Sequence, residues 1–188
     1  MSSQMSASEF LMAVQKQQLE HDEHYHREIA RLPMPHRLQH MALHISKYFA
    51  RAVREDLEPE LADRTWVDTF IISVSMCNIL NRRLVDLWGI DDGALKADDL
   101  RSWINTVFES GATRNERLLH FAKLCEDTSN ASEKMDHIEE FPYRTVLSRS
   151  AGMLAGISAA EIQKSGDLFD AVTSRLDGVK AKNIFYKS

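Results

Sequence analysis

The stretch that decides the fold runs from Pro35 to Trp88: PHRLQHMALHISKYFARAVREDLEPELADRTWVDTFIISVSMCNILNRRLVDLW. Its first half predicts a long helix. Leu38, Met41, Ile45, Tyr48, Phe49 and Ala52 recur at helical spacing as an apolar stripe, and His40, His44, Lys47 and Arg51 form a second stripe beside it. One face is built to pack, and its neighbour carries charge or chemistry. After an acidic link from Glu55 to Asp63, a second helix is expected from about Trp66 to Trp88, apolar nearly all the way round and therefore central and buried. Asp68, Asn78 and Asn81 lie within it. A buried carboxylate is costly unless it is paired, hydrogen-bonded or bound to a metal, so Asp68 requires a partner.

Outward from this pair the chain continues to read as helix. Before it, Leu11, Val14, Tyr25, Ile29 and Leu32 mark one helix from about Ser8 to Leu32, stopped by Pro33, with Pro35 suited to the first turn of the next. After it, GIDDGALKADD is turn-rich, and Asp98 or Asp99 can cap a helix running to about Ser110. Thr113-x-x-Glu116 is a capping box opening a helix through Leu118, Phe121, Ala122 and Cys125, with EDTSNAS read as a loop or break beyond it. Val146, Leu147, Met153, Leu154 and Ile157 mark a further helix, in which Gly152 and Gly156 either weaken the element or permit close approach. Ser158-x-x-Glu161 has the form of a second capping box, and Asp167 can cap a last helix through Phe169, Val172 and Leu176.

A chain of 188 residues with 7 glycines and 4 prolines, 44% hydrophobic and 27% charged, suits one all-α domain better than a fold of many strands and turns. Its net charge of -5 argues against general nucleic-acid binding, which needs a basic face. A local basic pocket for phosphate remains compatible with it. No run approaches the length of a membrane span and the start has no signal-peptide pattern, so a cytoplasmic protein is expected, its two cysteines Cys77 and Cys125 reduced on apolar helix faces.

Three groups of residues carry candidate chemistry. His36, His40 and His44 lie one turn apart, a spacing from which imidazoles share a metal or, protonated, an anion; a solvated polar stripe has the same pattern. Glu20, His21, Asp22, Glu23, His24, His26 and Glu28 include Glu23-x-x-His26, the form used by di-iron bundles, but only Asp136, His137 and Glu140 echo it elsewhere, so a charged surface is the simpler expectation. Asp68 with Asn78 and Asn81 is either a cross-link between helices or one side of a cation site.

The segment LQHMALHISKYFARA resembles the first motif helix of MazG-like all-α nucleotide pyrophosphohydrolases, with His40 and His44 standing where that family has ligand glutamates and Lys47 near its basic position. Asp68 followed by TFIISVSMCNILNRRL is similar to the second motif, with Asn78 on its asparagine. Thr65 replaces that motif's glutamate, and Glu60-Leu-Ala-Asp63 spells an alternative register. The resemblance covers roughly residues 36–88. It implies a helical bundle around two central helices, a homodimer, and binding or hydrolysis of a nucleoside triphosphate to monophosphate and pyrophosphate. In that chemistry a divalent metal, Mg²⁺ or Mn²⁺, polarises the phosphates. His40, His44 and Asp68, with Glu60 and Asp63 in the other register, would be the ligands and catalytic groups. Lys47, Arg51, Arg82 or Arg83 would neutralise phosphate, and Asn78 would contact the nucleoside. Imidazole ligands favour Mn²⁺, Fe²⁺, Co²⁺ or Zn²⁺ over Mg²⁺. The alternatives are a catalytically degenerate binding or regulatory module and a His/carboxylate metalloprotein.

Overall fold

The computed structural model describes residues 5–54, 61–109 and 113–182, and these are helical throughout apart from turns and one isolated bridge between Ser6 and Lys96. The helices are α1 (Ala7–Tyr25), α2 (Arg27–Ala30), α3 (Met34–Val53), α4 (Ala62–Ile79), α5 (Leu84–Leu87), α6 (Ala97–Ile104), α7 (Arg114–Asp136), α8 (Tyr143–Ser165) and α9 (Leu168–Lys182), with a π-helical turn at Asn105–Glu109 after α6. The all-α class is therefore observed. No helix among the described residues is long and apolar enough to cross a membrane.

Four long helices make the core. α3 packs on α4, α4 on α8, α8 on α7, and α7 back on α3, so the ring closes. The α3 stripe supplies Leu38, Met41, Ile45, Tyr48 and Ala52, all buried, and α4 supplies Phe70, Val74, Met76 and Cys77. α8 approaches closely because its inner surface is small: Ala151, Gly152, Ala155, Gly156 and Ala159 are buried. A Cβ on Gly156 would overlap the Phe108 ring, so close approach is what this glycine provides. α1 crosses α4, α5 and α6 on the outside of the ring, and α9 lies against α4 and α1.

Several boundaries differ from the sequence reading, each for a local reason. The first helix breaks at His26 (φ -128°, ψ 43°), and α2 sets off separately. The central helix ends at Ile79 and does not reach Trp88. Asn81 takes a left-handed conformation (φ 53°), Arg82 N–H bonds Cys77 O at 2.9 Å, and Asn81 N–H bonds Asn78 O at 3.1 Å, which together form a Schellman stop. EDTSNAS is continuous helix inside α7, with Thr128 and Ser132 returning their hydroxyls to backbone carbonyls. Ser158 is buried in the middle of α8 and caps nothing; Glu161, three residues on, pairs with Arg117 of α7 at 2.6 Å. Lys96 is the N-cap of α6, leaving Asp98 and Asp99 in its first turn. The Thr113–Glu116 capping box forms as read, and the Asp167 carboxylate accepts from the backbone N–H of Phe169 and Asp170 at the start of α9. Cys77 and Cys125 are both free thiols.

Candidate functional site

A cavity of about 330 Å³ lies on the outer side of the α3–α4 pair, enclosed by α1, α2 and α9. The second stripe of α3 lines it, for the reason the sequence suggests: its neighbouring apolar stripe is committed to the core, which turns His40, His44, Lys47 and Arg51 toward α4 and α9. α4 contributes Arg64, Asp68, Ile71, Ile72 and Ile79 from one face. Arg175 of α9 and Arg37 of α3 add two further cations.

Asp68 is 5% exposed and is the hub of an ion cluster. Arg175 Nε donates to its Oδ1 at 2.6 Å, while Arg51 Nη1 and Arg64 Nε stand 3.5 and 3.7 Å from Oδ2. Lys47 lies 4.6 Å from the centre of the Tyr48 ring and Arg51 5.4 Å from it, so the cations also share an aromatic surface. Burial and the adjacent Arg51 lower the Lys47 pKa from its ordinary value, and burial pushes Tyr48 up to about 12.

His40 and His44 meet through their Nε2 atoms at 3.1 Å. Lys47 Nζ is 3.0 Å from His44 Nδ1, and the Tyr48 hydroxyl is 3.1 Å from the same nitrogen. An ammonium has no lone pair to offer, so His44 Nδ1 accepts; its Nε2 therefore carries the proton and donates to His40 Nε2. Burial first, then Lys47, holds His44 down to about 4, and burial lowers His40 as well. Both rings are neutral near pH 7.

The cavity therefore brings together His40, His44, Lys47, Arg51 and Asp68. Of the residues expected to bind substrate it includes Lys47 and Arg51 but not Asn78 or Arg82. Asn78 Oδ1 accepts from Gln15 Nε2 at 2.9 Å and its Nδ2 donates to Gln15 O at 2.9 Å, while Gln15 also bonds Arg82 O and Leu84 N, so this pair ties α1 to the α4–α5 turn. Arg82 is exposed; Arg83, also exposed, pairs with Asp86 and Asp92. Glu60 lies outside the described residues, and Asp63 is placed only as part of the first turn of α4. His36 is exposed, as are Glu20, Glu23 and His24, the surface part of the acidic cluster.

The donor set at Asp68 does not fit a resident Mg²⁺. Its oxygens face three guanidinium groups, whose charge opposes a divalent cation, and the lone-pair nitrogen of His44, Nδ1, is taken up by the Lys47 ammonium and the Tyr48 hydroxyl. No group of three or more His, Cys, Asp or Glu side chains among the described residues is arranged to hold a metal.

Comparison with protein-family models, curated proteins and solved structures finds no match. The resemblance to MazG-like proteins thus stands on the residues of α3 and α4 alone.

Arg64, Arg175 and Arg37 were missing from the sequence reading of the site. Arg64 had a local signal, because it stands one turn before Asp68 on α4. Arg175, 107 residues away in sequence, had none. The sequence places Asp22 in a charged cluster suited to the surface, yet it lines the cavity with Gln18 and His21, of which Gln18 is 2% and His21 5% exposed.

Proposed function

We propose that the protein is a nucleotide-binding module of MazG-like type, taking a phosphorylated nucleotide into the α3–α4 cavity with its phosphates toward Lys47, Arg51, Arg64 and Arg175. One observation carries this reading: three guanidinium groups converge on a single carboxylate, Asp68, with Lys47 lining the same cavity, leaving an excess of positive charge in a chain that is net acidic. Guanidinium groups bind phosphate through paired N–H donors, and partial burial strengthens that attraction relative to open surface. Ile71, Ile72 and Ile79 offer an apolar wall for the remainder of the ligand. The metal-dependent pyrophosphohydrolase is the less favoured reading, since it needs Asp68 as a metal ligand.

Calorimetric titration with nucleoside triphosphates and with inorganic tripolyphosphate, in EDTA and in Mg²⁺ or Mn²⁺, tests the reading. Binding in EDTA that weakens roughly tenfold or more in Arg175→Gln or Arg51→Gln is the expected result. Failure of every one of these anions to bind overturns it. Binding that requires the metal, with release of pyrophosphate, replaces it with the hydrolase.

A further inference from the structure

The cavity holds a second carboxylate whose hydrogen-bond partners, unlike those of Asp68, are neutral. Asp22 lines the cavity from α1, and among the described residues no salt bridge engages it. It is held instead by neutral groups: Ser75 Oγ donates to Oδ2 at 2.6 Å and Gln18 Nε2 to Oδ1 at 2.8 Å. Gln18 Nε2 also donates to Ser75 Oγ at 3.1 Å, so the three side chains brace one another and fix the carboxylate plane. Each carboxylate oxygen takes about two hydrogen bonds, and one on each is used, so an acceptor position remains on each. His26 and Arg37, which also line the cavity, favour the charge of Asp22 from a distance but neither forms an ion pair with it, so in a pre-formed cavity the open acceptor positions suit the donors of a ligand.

The spacing sets the ligand's length. Ser75, which holds Asp22, and Asp68, which gathers the cations, are seven residues apart on one face of α4, about 10 Å along the axis. That is comparable to the distance in a nucleotide between the hydrogen-bonding edge of the base and the 5′ phosphate.

Building on the nucleotide reading above, we infer that Asp22 is a specificity-determining residue that accepts two adjacent N–H groups of the ligand's base, as the N1–H and 2-amino group of guanine present them. Adenine and cytosine each place an acceptor beside their amino group, which would face the carboxylate lone pairs. Inosine retains N1–H but lacks the 2-amino group. Gln18 and Ser75 are positioning residues, since they act through Asp22.

The experiment titrates the full chain with guanosine, inosine and adenosine triphosphates and with inorganic tripolyphosphate. Guanosine triphosphate is expected to bind roughly 10- to 100-fold more tightly than the inosine compound, the worth of one hydrogen bond to a charged acceptor, and more tightly still than the adenosine compound. Asp22→Asn is expected to abolish the preference without weakening tripolyphosphate binding, since it removes a negative charge from the cavity. Equal affinity of the three nucleotides, with tripolyphosphate binding intact, overturns the role of Asp22 and leaves the anion site standing. If no anion binds, both readings fall. The wild-type comparison of guanosine with inosine decides the matter even if Asp22→Asn does not fold.

Discussion

Asp68 and Asn78 look alike in the sequence, polar residues on an apolar helix, but their surroundings assign them different work. Asp68 offsets three guanidinium charges whose side chains are 26%, 49% and 23% exposed for Arg51, Arg64 and Arg175. Asp68→Asn leaves those charges facing one another and is expected to cost about 2–4 kcal/mol, less than for a sealed pair because water reaches the arginines. The same change makes the cavity more positive, so added tripolyphosphate should raise the melting temperature of Asp68→Asn by more than that of wild type. An equal rise in both proteins would show that the anion does not enter beside Asp68. Asn78→Ala, by contrast, removes one of the two acceptors of Gln15 Nε2 and the side-chain donor to Gln15 O, and is expected to destabilise by about 1–3 kcal/mol in denaturant unfolding, with anion affinity unchanged. A loss of nucleotide affinity in folded Asn78→Ala would restore the sequence-based expectation for this residue.

At the scale of the element, two helices carry a residue that ordinary propensity would disfavour. In α8, Gly156→Ala should gain about 1 kcal/mol on helix propensity alone. The added methyl meets the Phe108 ring, which is itself packed against Trp88 and Trp103 at 5.4 and 5.9 Å, so a net destabilisation of about 1–3 kcal/mol is expected. A stabilised Gly156→Ala would mean that the π-helical turn bearing Phe108 yields easily. At the end of α7, Ile138 holds φ 58° with its side chain 93% exposed, and Glu139 N–H bonds Lys134 O at 3.0 Å, a Schellman stop built on a β-branched residue. Ile138→Gly relieves that strain and is expected to stabilise by about 1 kcal/mol, measured as a shift in the denaturant midpoint. The periodicity that identified these helices is a local property, and it located the α3 stripes correctly. Helix ends were less legible, because Asn81 stops α4 by a backbone conformation whereas Thr128 and Ser132, residues that often break helices, return their hydroxyls to the helix backbone and remain inside α7.

For the molecule as a whole, buried imidazoles couple folding to pH. His21 and His44 are each held from the ordinary 6.5 down to about 4, chiefly by burial. The unfolded chain takes up these protons near pH 6.5 and the folded chain does not until about pH 4, so the stability present above pH 6.5 falls as the pH drops through that window. Asp22, raised by burial, has the opposite sign, since the folded state takes its proton first, but it opposes two histidines. Denaturant midpoints measured between pH 7 and pH 4 should decline, and His21→Gln and His44→Gln should each flatten the decline; a flat wild-type profile would mean that the rings are not sealed from water. The amino-acid sequence by itself determined the all-α class, the burial of the α3 and α4 stripes, and the presence of His40, His44, Lys47 and Arg51 on one face, because helical periodicity and capping are set by residues within a few positions of one another. Only the tertiary structure decided that Asp68 is clasped by arginines, that Asn78 is a strut, and that Asp22 belongs to the cavity. Each depends on side chains from α1, α3, α4 and α9 meeting across the bundle, and whether a carboxylate meets a cation, a neutral donor or a metal is settled by that packing, not by its neighbours in the chain.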